Sequence, residues 1–140
     1  MIWSKKPSIE SLQAMCANTM CEALGMEFTE VGEDFLVAKM PVDHRTKQPL
    51  GLLHGGASVA LAETLGSIAS ALCLESPKRM PVGLEINANH LKSASSGFVT
   101  GKVTPIRVGK SVHVWNIEIT NELKELVCIS RLTVAIIDRL

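Results

Sequence analysis

A single carboxylate lies within an otherwise apolar stretch of this sequence. The stretch covers residues 51–74 and reads GLLHGGASVALAETLGSIASALCL, with Glu63 as its only acidic side chain. A carboxylate beside apolar walls can serve as a general base or as a nucleophile. Ser67 and Ser70 follow at four and seven residues, so the three side chains could instead form the solvent-facing stripe of a helix. The helix pattern alone leaves both interpretations open.

The tripeptide His54-Gly55-Gly56 stands where this helix should begin. The first N–H groups of a helix have no partners within the helix and attract negative charge. Glycine there lets a ligand approach the backbone closely, so a carbonyl oxygen that becomes an oxyanion could bind. A tight turn leading into a helix explains the same tripeptide and is the commoner case.

Helix geometry separates the two candidate groups. Glu63 lies eight residues beyond Gly55, which is roughly 12 Å along a helix axis. A glutamate cannot attack a carbonyl held at the start of its own helix across that distance. If the two groups work together, they must come from two subunits whose helices run antiparallel about a two-fold axis.

Composition narrows the class of protein. The 140 residues suit one domain, residues 1–140, and 14 basic residues balance 14 acidic ones. Nucleic-acid binding usually needs a basic face and aromatic platforms, whereas this chain has zero net charge and no Tyr. The apolar stretch could span a membrane only with Glu63 inside the bilayer, at a cost of roughly 2.5–3.5 kcal/mol. We therefore expect neither nucleic acid nor a membrane as a partner.

The cysteines and histidines suggest no metal site. Cys16, Cys21, Cys73 and Cys128 form no C-x-x-C pair, and His44, His54, His90 and His113 lack the spacing of zinc ligands. The opening MIWSKKPSIE is too short and polar for a signal peptide. We therefore expect a cytoplasmic protein with free, mostly buried thiols.

Hydrophobic periodicity predicts an α+β fold. A first helix is expected over residues 9–24, with Ser8 as N-cap and Gly25 as stop, and the long helix over residues 57–74. Strands are expected within 27–42, broken by a turn at 31–34, and over 82–89, 97–104, 112–120 and 126–137, with a hairpin loop at 121–125. The first helix should bury Ile9, Leu12, Met15, Cys16 and Met20, and the strand 82–89 should bury Val82, Leu84, Ile86 and Ala88.

Short connections indicate an antiparallel sheet. Because the long helix is apolar on most sides, the sheet should curve around it and a second copy of the chain should cover the rest.

Several short runs resemble one enzyme family. They are residues 40–43 (MPVD), 46–49 (TKQP), 51–58 (GLLHGGAS), 82–90 (VGLEINANH) and 130–133 (SRLT), together with Glu63 and Gly66-Ser67. In combination they are similar to the hotdog-fold acyl-CoA thioesterases, and to the bacterial branch with 1,4-dihydroxy-2-naphthoyl-CoA hydrolase and the proofreading thioesterase of enterobactin synthesis. The resemblance covers essentially the whole chain. It implies a curved antiparallel sheet wrapped around a long helix, as a homodimer or a dimer of dimers.

The resemblance also implies roles for individual residues. Glu63 would be the nucleophile or general base, and the Gly55 N–H would polarise the thioester carbonyl. His54 and Gln48 would help to hold the acyl end, and Ser67 would help to place the water. Contacts to the CoA arm would come from Gly83, from His90, Leu91, Lys92 and Ser93, and from Arg107, Val108, Gly109, Lys110 and Ser111. Cations near phosphates make physical sense, although surface Lys and Arg are usually only solvated.

The expected reaction is hydrolysis of an acyl-CoA thioester to a free acid and CoA, without a metal or redox cofactor. The acyl group would be aromatic or medium-chain, such as 1,4-dihydroxy-2-naphthoyl, and an acyl or aryl carrier protein could replace CoA. Two alternatives remain: a hydroxyacyl dehydratase on the same fold, and a non-catalytic acyl-CoA binding protein.

Overall fold

One long helix and a six-stranded sheet make up most of the computed structural model, which describes all 140 residues. The helices are α1 (Ile9–Met15), α2 (Met20–Ala23) and α3 (Gly55–Leu72). The strands are β1 (Glu27–Val31), β2 (Leu36–Pro41), β3 (Arg79–His90), β4 (Phe98–Val108), β5 (Val112–Thr120) and β6 (Leu126–Asp138). They pair in the order β1-β2-β4-β5-β6-β3, and every pair is antiparallel. The predicted α+β architecture is confirmed.

Helix α3 lies against the inner face of the sheet. It contacts β2, β3, β4, β5 and β6, and it buries Leu61, Leu65 and Ala69 completely. The opposite side of the helix, which includes Glu63 and Ser67, stays half-buried in the single chain. The sheet therefore covers only one side of a helix whose sequence is apolar on most sides. None of the three helices combines the length and apolar character needed to cross a bilayer.

The first helix is shorter than predicted. Residues 9–24 form two helices, because α1 ends at Met15 and α2 begins at Met20. Asn18 adopts φ 60°, a left-handed conformation that a continuous helix does not contain. The predicted cap at Ser8 is confirmed, since its side chain accepts a hydrogen bond from the Ser11 N–H. The predicted apolar stripe is wrong in part: Leu12 and Cys16 are buried, whereas Ile9, Met15 and Met20 are exposed.

The strand that was predicted over residues 82–89 is longer and is interrupted. It runs from Arg79 to His90, and its pairing with β6 shifts register between Gly83 and Glu85. An extra residue reverses the alternation of side chains along a strand. Ile86 and Ala88 pack against the core as predicted, but Val82 and Leu84 are exposed, Leu84 to 63%. That part of the prediction is wrong because a strict period of two cannot anticipate the bulge.

A buried polar cluster joins α3 to β5. Ser70 is fully buried; its Oγ accepts a hydrogen bond from Trp115 Nε1 at 2.7 Å and lies 3.0 Å from His113 Nδ1. Ser70 therefore belongs to the interior, not to a polar stripe shared with Glu63, because β5 passes beside this turn of the helix. His113 is likewise a packed histidine of the sheet, 2% exposed.

Two of the four cysteines are not free thiols. Cys16, at the end of α1, and Cys21, in α2, form a disulfide, with Cα atoms 5.2 Å apart. The break between α1 and α2 turns the chain back and brings the two residues together, which a continuous helix would not do. Cys73 and Cys128 are free, and burial raises the pKa of the Cys73 thiol to about 11.

Core packing beneath α3 should dominate stability. Replacing the fully buried Leu65 with Ala should lower the free energy of unfolding by about 2–5 kcal/mol, because the change removes packing and leaves a cavity. Leu123→Ala is the matched control, since Leu123 is 80% exposed in the β5–β6 loop, and about 0.5 kcal/mol or less is expected. Urea unfolding measures both, and equal losses would contradict this view of the core.

The buried His113 should make stability pH-dependent. Burial lowers the pKa of His113, more than the opposing hydrogen bond to the Gly109 backbone raises it. An unfolded histidine titrates near 6.5, so below about pH 6.5 the unfolded chain binds a proton that the folded chain binds less readily. The contribution of His113 to stability therefore falls as pH falls from about 6.5.

Urea unfolding between pH 5 and 8 measures this effect. The wild type should lose more stability on acidification than His113→Gln, by at most about 1.4 kcal/mol per pH unit. His44→Gln is the control, because the His44 side chain is 89% exposed, and it should keep the wild-type slope. An unchanged slope in His113→Gln would show that another group causes the dependence.

Candidate active site

The start of α3 presents an unpartnered backbone donor. His54 caps the helix: its Nδ1 accepts a hydrogen bond from the Gly56 N–H at 2.8 Å, and its carbonyl accepts from Ala57. No backbone or side-chain acceptor of the chain takes the Gly55 N–H. This N–H stands at the positive end of an eighteen-residue helix dipole. It can therefore donate to the oxygen of a ligand.

A cleft of about 370 Å³, the Gly55 cleft, opens in front of this donor. It brings together six of the predicted site residues: Gln48, Gly55, His90, Leu91, Lys92 and Ser93. A Cβ on Gly55 would lie 2.9 Å from His90 Nε2, so glycine leaves the space that the imidazole occupies. His54 does not line the cleft, and its Nδ1 already accepts a hydrogen bond from the Gly56 N–H.

The loop before α3 places Gln48 at this cleft. Thr46 is 2% exposed, and its hydroxyl donates to the Pro41 carbonyl at 2.7 Å while accepting from the Asp43 N–H. Hydrogen bonds from Arg45 hold the pKa of the Asp43 carboxyl at about 2, well below its ordinary value. These contacts fix the loop, and Gln48 N–H donates to the Leu52 carbonyl at 2.8 Å.

Lys92, a predicted phosphate contact, already has a partner. Its ammonium group forms an ion pair with Glu125, and this hydrogen bond is the main reason that the pKa of Glu125 is lowered. Both side chains are partly exposed, so the pair contributes little to stability. A phosphate would have to compete with Glu125 for this cation.

Glu63 opens into a different cavity. This second cavity, the Glu63 groove, has a volume of about 330 Å³ and lies between α3 and residues 15–21. Ser67 and Thr64 line it beside the carboxylate, and the remaining lining is mainly apolar. Glu63 makes no ion pair or side-chain hydrogen bond within the chain. The carboxylate is therefore free to act on a bound molecule.

Gly83 lies directly beside Glu63. A Cβ on Gly83 would lie 2.9 Å from Glu63 Oε1, so only glycine leaves this carboxylate its position against β3. Gly83 is a predicted substrate or CoA contact, and the structure places it next to the candidate base. A glycine inside a strand often marks such a close approach, which is a signal that the sequence contained.

The remaining predicted CoA contacts are at the other end of the sheet from the Gly55 cleft. Arg107, Val108, Gly109, Lys110 and Ser111 form the β4–β5 turn and line neither cavity. Cross-strand pairs run from Val108 through His113 and Val134 to Gly83, at the Glu63 end. His90 pairs with Cys128 at the opposite end. Within one chain, the predicted CoA contacts at residues 90–93 and 107–111 therefore lie at opposite ends of the sheet.

Sequence reasoning missed the wall that faces Glu63. It assigned Met15, Cys16 and Met20 to the buried stripe of a helix, whereas these residues and Cys21 line the groove. The break between α1 and α2 causes the difference. Asn18, which supplies the left-handed residue of this break, was the available signal.

Comparisons with known proteins show which family this chain is similar to. Residues 50–128 match the family model described as Thioesterase superfamily. The chain is 53% identical over 137 residues to 1,4-dihydroxy-2-naphthoyl-CoA hydrolase of Escherichia coli, covering 98% of this chain and 100% of the relative. It is 46% identical over 136 residues to the proofreading thioesterase EntH of Cronobacter turicensis, covering 97% and 98%.

A solved structure gives the same result for the fold. A crystal structure of a thioesterase from Haemophilus influenzae superposes with a TM-score of 0.94 at 51% identity, covering 99% of this chain and 96% of that one. The resemblance inferred from the short sequence runs and the hotdog fold that it implies are thus confirmed. On the family match and these identities, the chain is a hotdog-fold member of the thioesterase superfamily.

Proposed function

We propose that the protein hydrolyses acyl-CoA thioesters with an active site assembled from two chains. Glu63 of one chain acts as general base or nucleophile, and the Gly55 N–H of the other chain polarises the thioester carbonyl. The observation that carries this proposal is the separation of the two groups. Glu63 and Gly55 belong to one rigid helix and open into two different cavities.

A second copy of the chain can join these cavities. Strand β3 is twelve residues long and stands at the edge of the sheet, where its outer backbone groups have no partner strand. Such an edge invites pairing with another strand. Leu84 and Val82 add exposed apolar surface on this strand. A two-fold axis here would make the helices antiparallel and bring each Glu63 toward the Gly55 cleft of the other chain.

The chemistry needs few groups. Attack on the thioester carbonyl places negative charge on its oxygen, and a donor held by the helix start stabilises that charge without reorganisation. Glu63 attacks the carbonyl itself or takes a proton from the attacking water, and Ser67, one helical turn away, positions that water. In the general-base route the C–S bond breaks as the tetrahedral intermediate collapses, and the proton that Glu63 took from water passes to the sulfur, so CoA leaves as its thiol beside the free acid. In the nucleophilic route the C–S bond breaks as Glu63 forms an anhydride with the acyl group, and the water then hydrolyses this anhydride, which restores the carboxylate, releases the acid and supplies the proton for the CoA thiolate. This route requires no metal or redox cofactor.

The two groups of predicted CoA residues fit the same assembly. Antiparallel chains bring the β4–β5 turn of one chain to the Gly55 end of the other. Lys92 and Ser93 of one chain and Arg107, Lys110 and Ser111 of its partner would then flank one CoA arm. Clustered cations and hydroxyls suit phosphate oxygens.

We propose an aromatic or medium-chain acyl group. The Glu63 groove is mainly apolar, and its volume of about 330 Å³ suits a ring or a short hydrocarbon chain. The relatives named as 1,4-dihydroxy-2-naphthoyl-CoA hydrolase and proofreading thioesterase support thioesters of aryl groups on CoA or on a carrier protein. A comparison of kcat/KM across acyl-CoA and carrier-bound substrates would choose among them.

Removing the carboxylate tests the role of Glu63. Glu63→Gln should lower kcat for benzoyl-CoA by about 10²–10⁴, because the amide keeps the shape and loses the base. Thr64→Val is the control: it changes a groove residue next to the carboxylate without altering charge, and it should affect KM more than kcat. If the wild type and Glu63→Gln bind benzoyl-CoA but both turn it over at the same negligible rate, the protein is an acyl-CoA binder.

Mixed dimers test the sharing of the site between chains. Glu63→Ala and Gly55→Pro should each be nearly inactive alone, because proline at the first helical position lacks the N–H and its Cβ also crowds His90. A heterodimer of the two restores one complete site out of two. Random mixing should therefore recover about a quarter of wild-type activity.

Differently tagged chains would isolate the mixed species. Pairing Glu63→Ala with itself under two tags is the control and should recover nothing. Confirmed heterodimers of Glu63→Ala and Gly55→Pro without activity would contradict a site assembled from two chains.

A further inference from the structure

The disulfide lies on the wall of the groove that faces Glu63. Cys16 and Cys21 both line this groove, together with Met15 and Met20 on either side. The cysteines are 2% and 6% exposed, whereas Met15 and Met20 are 50% and 59% exposed. The sulfur atoms of the cysteine pair therefore sit behind a flexible thioether rim, across the groove from the candidate base.

Apart from the disulfide, hydrogen bonds hold the segment that carries this wall, and they include Asn18 N–H to the Glu22 carboxylate and Met26 N–H to the Cys21 carbonyl. Gln13 ties α1 to the sheet, since its amide donates to the Met26 carbonyl and accepts from the Phe28 N–H. Beyond α1 the chain turns at Asn18, and the Thr19 hydroxyl donates to the Cys16 carbonyl at 2.6 Å. Helix α2 has only four residues and no side-chain cap. The Cys16–Cys21 bond is the one covalent link across this turn.

We propose that Cys16 and Cys21 form a redox-modified site that determines how tightly the groove binds large acyl groups. The inference rests on the proposed function, because it assigns the Glu63 groove to the acyl group. With the bond formed, the wall is already ordered and a bound acyl group does not have to immobilise it. With the bond reduced, the turn and its two methionines become mobile, and binding a large acyl group must order them.

The bond forms by thiol–disulfide exchange with a small-molecule disulfide. A thiolate of one cysteine attacks the disulfide, forms a mixed disulfide and releases one thiol; the second cysteine attacks that intermediate and releases the other. In sum, one protein dithiol and one small disulfide give one protein disulfide and two small thiols. Because both cysteines line the groove, the exchange reaches them from the acyl side.

The expected signature depends on substrate size. We expect a benzoyl group to reach across the groove toward this wall, whereas an acetyl group should end near Glu63. Reduction should raise KM for benzoyl-CoA on the order of 3–10-fold, because binding must then order one or two side chains. It should leave kcat unchanged. KM for acetyl-CoA should not change.

The experiment compares oxidised and reduced wild-type protein. One sample is incubated with oxidised glutathione and one with dithiothreitol, the reagents are removed, and mass spectrometry of the intact chain verifies the loss of two hydrogens on oxidation. The double variant Cys16→Ser, Cys21→Ser should behave as the reduced form under both treatments. Cys73→Ser, which removes a free thiol outside the groove, should respond like the wild type. If the double variant does not fold, the two wild-type samples decide alone.

Three results would overturn the inference: no intramolecular bond on oxidation, identical KM values for benzoyl-CoA in both forms, or equal changes for benzoyl-CoA and acetyl-CoA. Failure of the proposed function looks different, since no acyl-CoA would then be hydrolysed in either form. In that case calorimetric Kd values of benzoyl-CoA for the two forms replace KM. A larger Kd in the reduced form would still support the proposed effect of the disulfide on binding, and equal Kd values would overturn it.

Discussion

The rigidity of α3 is the constraint on which the rest of the structure depends. A helix fixes the distance between its residues, and eight residues separate Glu63 from Gly55 by roughly 12 Å. One end presents a backbone donor to a cleft, and the middle presents a carboxylate to a separate groove. Neither cavity contains both groups, so the proposed hydrolysis needs a second chain. The edge of β3 and the uncovered side of α3 lie where such a chain could bind.

Close packing around α3 fixes the position of Glu63. The helix buries Leu61 and Leu65 against the sheet, and glycines admit the contacts at its flanks. A Cβ on Gly66 would lie 2.5 Å from Leu132 Cδ2, and a Cβ on Gly83 would meet the Glu63 carboxylate. Helix, core and carboxylate are thus held in one fixed relation. Because the interior is close-packed, the position of Glu63 follows from the packing of the same helix.

The two cavities differ in how their walls are held. The hydrogen bonds of Thr46 to Pro41 and Asp43 and the cap at His54 order the Gly55 cleft. The Glu63 groove instead has a wall made of a short turn, two methionines and one disulfide. Methionine is flexible and polarizable, so it adapts to different apolar groups. The donor that would bind the common thioester carbonyl is therefore rigid, while the surface assigned to the variable acyl group can adjust.

The sequence by itself determined the elements and the chemical candidates. Periodicity placed α3 and the strands because burial on one face leaves a repeat of 3.6 or 2 in the chain, and the runs around His54 and Glu63 identified the family. Tertiary structure decided what local patterns cannot encode. The bulge after Gly83 reversed the exposure of Leu84, the turn at Asn18 joined Cys16 to Cys21, and Ser70 turned inward to Trp115. Each of these depends on which segment lies alongside, and that is set by long-range packing, whereas periodicity reports only whether a face is apolar.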